Sequence, residues 1–557
     1  MTDIHVPTRV PVLVVGGGTV GLATALFLGR HGVPALVVER QPGPMPHPRA
    51  LGVNERTMEL FREAGLEEAI RAASVRPRTT VWKGSVPTLA ESAFPPGGGQ
   101  LDFRNPALAA VTPVEVAGNC PQDRIDALLL PAARAAGATV RYGTAVTSVE
   151  SRADGAVARL ADGSTVHADF VVAADGASST VRRGLGIGVE GPGVLGVPKM
   201  NIVFRADLYG RFGSVPFMTD ITAPGAWAVL ITVDAEERWM LHVDFDPEAG
   251  QGLEDFTDER CEELVRAAIG HPEVDVEVLS TAPWRLTAQV AERFREGRVF
   301  LAGDAAHTIP PLGAFGMNAG IADAHNLAWK LAQVLQGGAA DLLLDSYHAE
   351  RHPVAVFTLQ QAMLRLRHPA LHWNPFAGAQ RQEAGMVNTP VVHLGYRYDS
   401  AAVVDPGPRL PSSEDVAACL DGSPGSRLPH HWVTRVGERL STLDLAAARW
   451  TLLAGPGGGD WCEAAAKQAE EVGLDLVAHR MGGDGAEIQD PTADWGDVAG
   501  TGPAGALLVR PDGFVAWRAQ GAVPDPGQTL AAALSMLLGH PACKETEVHS
   551  DTRSAPS

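Results

Sequence analysis

The chain has 557 residues, enough for two or three domains with substantial cores, and its 45% hydrophobic content is that of an ordinary globular protein. A formal net charge of −20 repels nucleic acid and anionic membrane surfaces, which argues against both as partners. The five cysteines (Cys120, Cys261, Cys419, Cys462 and Cys543) are odd in number and include no CxxC pair; this disfavours a disulfide framework or a zinc site and fits a reducing cytoplasm.

The first elements lie in Val10 to Gly29, VPVLVVGGGTVGLATALFLG, an uncharged run almost long enough to span a bilayer. Pro11 and the GGG cluster interrupt it, and no small-residue cleavage site follows, so neither a membrane span nor a signal peptide is expected. It reads as a strand (VLVV), a glycine turn, a helix ending at Gly32 and a second buried strand, ALVVE. In that setting Gly16, Gly18 and Gly21 form GxGxxG and Glu39 closes the second strand. Gly16 permits the tight turn, Gly18 lets a pyrophosphate approach the backbone, and Gly21 lets helix and strand pack closely. The helix N-terminus then faces the phosphates and Glu39 accepts hydrogen bonds from a ribose, with Arg40 in the same expected contact set. The pattern predicts a dinucleotide site without distinguishing NAD from FAD.

PHPRALGVNERTMELFREAGL predicts a loop and an amphipathic helix capped by Asn54, and CPQDRIDALLLPAARAAGATVRYG a further helix and strand. FVVAADGASSTVRRGLGI repeats the theme of a buried strand stopping at an acid and a glycine, Asp175-Gly176. Between about Gly188 and Trp284, the alternating runs MNIVFRADL, AWAVLITVD and RWMLHVDFD predict an antiparallel sheet. RVFLAGD returns to the parallel pattern. A helical region runs from Asp345 through Arg367, and a Pro/Gly-rich connection (Val403 to Asp415) leads to a small separate α/β domain carrying ARWTLLAG, GALLVRPDG and FVAWRAQG. The tail from about Lys544 is expected to be disordered.

The richest stretch is LAGDAAHTIPPLGAFGMNAG, Leu301 to Gly320. A dinucleotide fold that ends further strands on Asp175-Gly176 and Gly303-Asp304 implies a ligand longer than NAD. FAD has a ribityl chain whose hydroxyls need acceptors, and Asp304 at a strand's carboxyl end is one. Pro310 and Pro311 are pre-ordered and flank a flat ring at little entropic cost, while Gly313 and Gly316 let backbone N–H groups come close. The helix opening near Met317 and Asn318 points its positive end at the ring, where reduced flavin carries negative charge. The stretch reads as a flavin clamp.

GGGTVG, ADGASSTVR, GRVFLAGDAAH and GMNAGIADAHNLAWKL occur in that order, followed by HLGYRY (His393 to Tyr398) and GALLVRPDGFVAW (Gly505 to Trp517). Over nearly its whole length the chain resembles the flavoprotein aromatic hydroxylases of the para-hydroxybenzoate hydroxylase class, most of all their aromatic-polyketide hydroxylase branch. The resemblance implies an α/β protein with a FAD-binding doubly wound (glutathione-reductase-like Rossmann) domain, an antiparallel-sheet substrate domain and a C-terminal thioredoxin-like domain. The expected divisions are residues 1–187 for the first part of the FAD domain, with a substrate-domain insertion at about 76–115, and 188–284 for the middle domain. Residues 285–402 hold the second FAD part and connecting helices, and 403–557 the last domain.

The resemblance also implies that Arg49 lies near the flavin, Gln122 near the ribityl chain, and Asp175 at the cofactor and the approach of NADPH. FAD would be held noncovalently and reduced by transient NADPH. O2 would then add to give a flavin C4a-hydroperoxide that hydroxylates a polycyclic, polyketide-type aromatic substrate. The alternatives are Baeyer–Villiger or antibiotic-inactivating oxygenation by the same intermediate, or a catalytically inert flavin- or ligand-binding protein. The implied partners are a small aromatic molecule and O2, with a homodimer as a further option.

One departure stands out. The family usually has Gly-Gly-Gln-Gly before Met-Asn, whereas here Gly313-Ala314-Phe315-Gly316 precedes it. Phe315 is therefore expected where flavin and substrate meet, with Pro310, Phe217 and Trp227 as further substrate contacts. Phe315 and Tyr209 are the candidates for a catalytic contribution, and no substrate base is identified. Plainer readings apply to other residues. His307 beside Asp304 reads as a structural hydrogen-bonding group. His348 and His352 flank Glu350 without forming HExxH, because the acid is one place late, and no metal site is expected. Trp461-Cys462-Glu463-Ala464-Ala465 resembles the thioredoxin WCxxC with Ala465 in place of the second Cys, so no dithiol chemistry is expected.

Overall fold

The computed structural model describes residues 8–79, 81–92, 104–116, 118–223, 227–248, 250–374 and 376–539. Cys543, the tail from Lys544 and part of the 76–115 insertion lie outside the described residues.

The apolar strand Arg9–Val15 sits in the middle of an eight-stranded sheet, in parallel register with Ala35–Val38 on one side and Thr165–Ala173 on the other. Thr139–Arg141 and Val299–Leu301 extend it in parallel, while Val146–Arg152 and Gly155–Leu160 add an antiparallel meander. The central strands are continuous β-branched and leucine runs because helices cover both faces of such a sheet. The register aligns Val15 with Val38 and with Ala173, and Ala173 with Leu301, so all these strands end at one edge. That edge gathers the residues that follow them: Gly16, Glu39, Asp175 and Asp304. Carboxyl edges of this kind are where open α/β sheets bind ligands.

A seven-stranded sheet forms the second layer, in the order His307–Thr308, Glu277–Ala291, Val189–Arg205, Arg238–Asp244, Ala228–Thr232, Met218–Ile221 and Lys83–Val86. All neighbours are antiparallel except the last pair. Strand Glu277–Ala291 runs past Trp284, the end expected for the middle domain, and pairs there with His307–Thr308. Alternation divides the sheet into two faces. Met200, Ile202, Phe204, Leu230, Leu241 and Val243 form a core with Cys261, Val265 and Ile269 of helix Asp258–Ile269. On the other face Val203, Ile231 and Met240 pack with Phe217, Leu51 and Trp82.

The last domain has a four-stranded sheet in the order Leu476–Arg480, Trp450–Ala454, Ala506–Val509 and Val515–Ala519. Its first pair is parallel and the others antiparallel, with helix Gly459–Val472 between the parallel strands and Pro526–Leu537 at the end. A buried ion cluster joins it to the rest of the chain. Arg510 makes two bonds to Glu350, of 2.5 and 2.9 Å, and pairs with Asp512; Lys330 donates to Glu350 at 2.6 Å. Among the described residues no helix is long and apolar enough to cross a membrane.

Cys462 lies in the Gly459–Val472 helix, where burial pushes its thiol pKa upward, away from the reactive thiolate. Cys462→Ser is therefore expected to leave turnover within about twofold of the parent, since a lone protonated thiol cannot run dithiol exchange. A tenfold loss with the fold intact would overturn that reading.

Candidate functional site: a flavin clamp facing a sheet

Helix Thr19–Arg30 begins at Gly18 with no side-chain cap and no acid in its first turn, which leaves its N–H groups and positive dipole end for an anion. The three glycines do separate jobs. Gly16 has φ +111°, and a Cβ there would lie 2.3 Å from the Ala174 carbonyl oxygen. A Cβ on Gly21 would lie 1.9 Å from the Gly16 oxygen, so this position cements the helix to the turn. A Cβ on Gly18 meets nothing within 4 Å. Protein packing does not require glycine at Gly18, which leaves open space in front of the helix N-terminus. Glu39 accepts from the backbone N–H of Gly17 and of Gln41, both at 2.8 Å, which holds its carboxylate at the strand exit. Arg40 beside it is exposed.

Gln122 ties this corner to the Arg49 loop. Its Oε1 accepts from the Arg49 N–H at 3.2 Å and its Nε2 donates to the Thr19 hydroxyl at 3.0 Å, which in turn donates to buried Asp126. Burial pushes the Asp126 carboxyl up to about 6, against the Thr19 hydrogen bond. Asp175 accepts from the N–H groups of Thr180 and Val181 at 2.8 and 3.2 Å and so caps the short helix Thr180–Gly184, while its Oδ1 is buried without a protein partner. Arg182 then donates to the Ala305 carbonyl at 2.9 Å, joining the ADGASS and GDA loops.

Asp304 is open to solvent by area although protein surrounds it closely, the situation of a carboxylate facing into a crevice. That crowding raises its pKa, and His307 and Arg49 oppose the rise. Gly303 has φ +60°, and a Cβ on Gly320 would lie 2.9 Å from its Cα, so helix Gly316–Leu335 starts hard against the Asp304 turn. This second helix also starts without a side-chain cap or an acid in its first turn. Asn318 sets its first turn: Nδ2 donates to the Ala314 carbonyl at 2.7 Å and Oδ1 accepts from the Asn54 N–H at 3.0 Å. Met317 is half-buried and Pro311 exposed at the mouth, whereas Pro310 is buried.

His307 is buried and bonded to Asp323 at 2.7 Å, and Asp323 is bonded to Arg351 at 2.7 Å, a structural network under the clamp. His348 accepts from the Phe294 N–H at 3.3 Å with its ring 4.8 Å from that of His352, while Glu350 serves the ion cluster instead. Among the described residues, His431, Asp490 and Asp494 of the last domain are grouped closely enough to hold a cation, a cluster that sequence spacing did not single out.

Two expectations are corrected. Phe315 does not face the flavin–substrate meeting point: it is 2% exposed and packs among Leu108, Val111, Val391, Val392 and Leu394. Its ring lies directly beneath Gly313, where a Cβ would come within 2.3 Å of it, so it buttresses the clamp turn from below. Tyr209 lies against Trp239 at 5.0 Å, in the core on the helix-covered face of the seven-stranded sheet, away from the clamp. Phe217 is on the opposite face, 4.6 Å from Trp82, and Trp227 is 46% exposed with the Lys199 ammonium 4.3 Å over its ring. Sequence reasoning missed three polar residues on the face turned to Leu51. These are His47, Asn201 and His242; the signal for the last two is a polar side chain on the face shared with Val203 and Met240, whereas His47 lies in a loop and has no such signal.

Residues 9–362 match the FAD binding domain family, and residues 421–541 match the aromatic-ring hydroxylase C-terminal family. A putative polyketide hydroxylase of Streptomyces halstedii is 44% identical, covering 95% of this chain and 97% of its own. The tetracenomycin B2 monooxygenase-dioxygenase of Streptomyces olivaceus and the aklavinone 12-hydroxylase of Streptomyces purpurascens are each 41% identical, covering 95% of this chain and 99% of theirs. Among solved structures, aklavinone-11 hydroxylase in complex with FAD and aklavinone is 38% identical with a TM-score of 0.82, covering 96% of this chain and all of that one. With its glycine turn, acid-ended strands and uncapped helices converging on one sheet edge, the chain belongs to the family of FAD-binding aromatic-ring hydroxylases.

Proposed function

We propose that the protein is a FAD-dependent monooxygenase that hydroxylates an aromatic polyketide substrate of three or four fused rings, with NADPH as reductant. One observation carries the reading: the carboxyl edge that gathers Gly18, Glu39, Asp304 and the Gly316–Leu335 helix start shares the Arg49–Leu51 loop with an apolar and aromatic sheet face. The residues fit FAD. Gly18 leaves room for the pyrophosphate, Glu39 is positioned for a ribose, Asp304 offers an unpaired carboxylate to the ribityl hydroxyls, and the second helix start suits a negatively charged ring edge. When bound, the flavin supplies oxygen activation; the protein supplies orientation, water exclusion and electrostatics.

The strand order of the last domain, with a parallel pair joined by a helix and two antiparallel strands added, supports a thioredoxin-like fold. The free thiols Cys120, Cys261, Cys419 and Cys462 support a reducing, cytoplasmic setting.

Trp82, Phe217, Trp284 and Trp373 supply broad apolar faces on the substrate side. Fused rings gain about 25 cal/mol per Å² of apolar area buried there, and a single-ring benzoate gains too little to offset desolvation of its carboxylate. Tri- and tetracyclic phenols are therefore expected to stimulate NADPH oxidation at least tenfold more, in kcat/KM, than para-hydroxybenzoate. Steady-state assays with matched one-ring and four-ring phenols check this, and better turnover of the one-ring compounds would sink the polycyclic assignment.

A further inference from the structure

The face of the seven-stranded sheet turned to Leu51 and Trp82 has an apolar centre of Val203, Ile231 and Met240, bordered by paired charges and by three polar side chains without a full set of partners. Asn201 and His242 are direct cross-strand partners, so their side chains stand side by side on this face, next to Val203 and Met240. His47 reaches the same face from the Arg49 loop, its Nδ1 2.8 Å from the Ser280 hydroxyl, and Ser280 is the cross-strand partner of Val203. His47 is 5% exposed and Asn201 6%. One polar atom of each, His47 Nε2, Asn201 Oδ1 and His242 Nε2, is buried, and no protein group hydrogen-bonds to it. Aromatic rings flank them: Trp284 is 5.5 Å from the His242 ring, and Trp82 lies between Phe217 and Trp373 at 4.6 and 5.4 Å.

Buried polar atoms are almost always paired, and each unpaired one costs stability. Two on one sheet face and a third reaching them from the loop that carries Arg49 bring three unpaired polar atoms together at one place. The neighbouring charges are already engaged: Lys199 pairs with Asp244 and Lys83 with Asp220. On the sheet itself the lysines nearest the trio are thus paired, and the charge closest to His47 is that of Arg49 on its own loop.

We propose that His47, Asn201 and His242 are the specificity-determining contacts for the substrate, accepting hydrogen bonds from un-ionised phenolic hydroxyls and fixing the rotation of the fused rings in their plane. This rests on the monooxygenase reading above and names the polar half of its substrate site. Burial, reinforced by Arg49, lowers the His47 pKa to about 4; burial, reinforced by His47 and Lys199, lowers that of His242 to about 4. Both imidazoles are thus neutral near pH 7 and present an acceptor nitrogen when the other ring nitrogen carries the proton. A site made to hydrogen-bond a hydroxyl rejects an analogue lacking it more strongly than an apolar pocket rejects an extra group, because its own polar atoms then stay unpaired.

The test uses FAD-loaded protein and two tricyclic probes, 2,6-dihydroxyanthraquinone and unsubstituted anthraquinone, with dissociation constants from the perturbed flavin absorbance. The parent should bind the dihydroxy compound at least about tenfold more tightly. Asn201→Leu and His242→Leu should each cut that preference to about threefold or less with FAD content unchanged, while His242→Gln, which keeps an acceptor, should retain most of it. Variants that bind flavin and keep the full preference would overturn the assignment of these residues alone. If the parent binds neither probe, the polycyclic reading falls and this inference with it. Should the Leu variants lose flavin, the His47→Phe protein gives the same readout, and an undiminished preference there also overturns the proposal.

Discussion

Gly18→Leu is expected to yield a folded protein with almost no flavin, a loss of at least about tenfold in the ratio of 450 nm to 280 nm absorbance on purification. The effect is steric and local. A Cβ at Gly18 meets no protein atom within 4 Å, so the apo fold has no reason to object. The added side chain instead occupies the approach to the uncapped N-terminus of helix Thr19–Arg30, where the pyrophosphate must come against backbone N–H groups. Gly21 is the control with the opposite signature. Its Cβ would lie 1.9 Å from the Gly16 oxygen, so Gly21→Leu should fail to fold rather than fold without cofactor. Circular dichroism and flavin content measured together separate the two cases, and a Gly18→Leu protein that keeps full flavin would remove the cofactor assignment at its root.

The second large effect belongs to the ion cluster between the last domain and the flavin-binding helices. Arg510, Glu350, Lys330 and Asp512 are all fully buried, and Arg510 bridges Glu350 and Asp512. Removing one partner leaves uncompensated charge in a low-dielectric interior, which costs about 3–5 kcal/mol. Arg510→Met should therefore lower the midpoint of thermal unfolding by roughly 6–20 °C, while a surface pair such as Arg152–Glu150 should matter little.

The cluster also sets an acid limit. Burial alone would raise the Glu350 pKa, but Arg510 and Lys330 hold it well below the usual carboxylate range; burial likewise works against Asp323, whose pKa His307 and Arg351 bring down. Because these folded-state pKa values lie below the unfolded ones, their contribution is complete above about pH 4.5 and is lost as pH falls below it. Parent protein should lose unfolding temperature steeply below pH 4.5, and Glu350→Gln should show a shallower slope there. A parent whose stability is flat down to pH 3 would contradict this.

Much of the clamp was legible because its parts are local. GxGxxG between a β-branched strand and a helix, Asn54 before an amphipathic run, and the helix from Asp345 to Arg367 depend on neighbours within a few turns; all three appear, the first helix ending at Arg30 rather than Gly32. What stayed hidden depends on distant packing. Phe315 sits next to Gly316 in sequence, yet its ring turns away from the clamp, because Gly313 lacks the Cβ that would block it and the Thr389–Leu394 helix offers an apolar bed. Tyr209 follows the same logic, since which face of the middle sheet is core depends on where helix Asp258–Ile269 lies. The pairing of Arg510 with Glu350 spans 160 residues, and His47 meets Ser280 across 233. No periodicity signals such contacts.

The central claim is that this chain inserts one atom of molecular oxygen into a fused-ring phenol. Incubating the FAD-loaded protein with NADPH, a tetracyclic polyphenol and 18O2, and weighing the product by mass spectrometry, tests it most directly. The expected product is heavier by one 18O atom and forms with NADPH oxidation that the substrate stimulates. NADPH-independent binding with no gain in mass, or a product whose added oxygen comes from water, would contradict it.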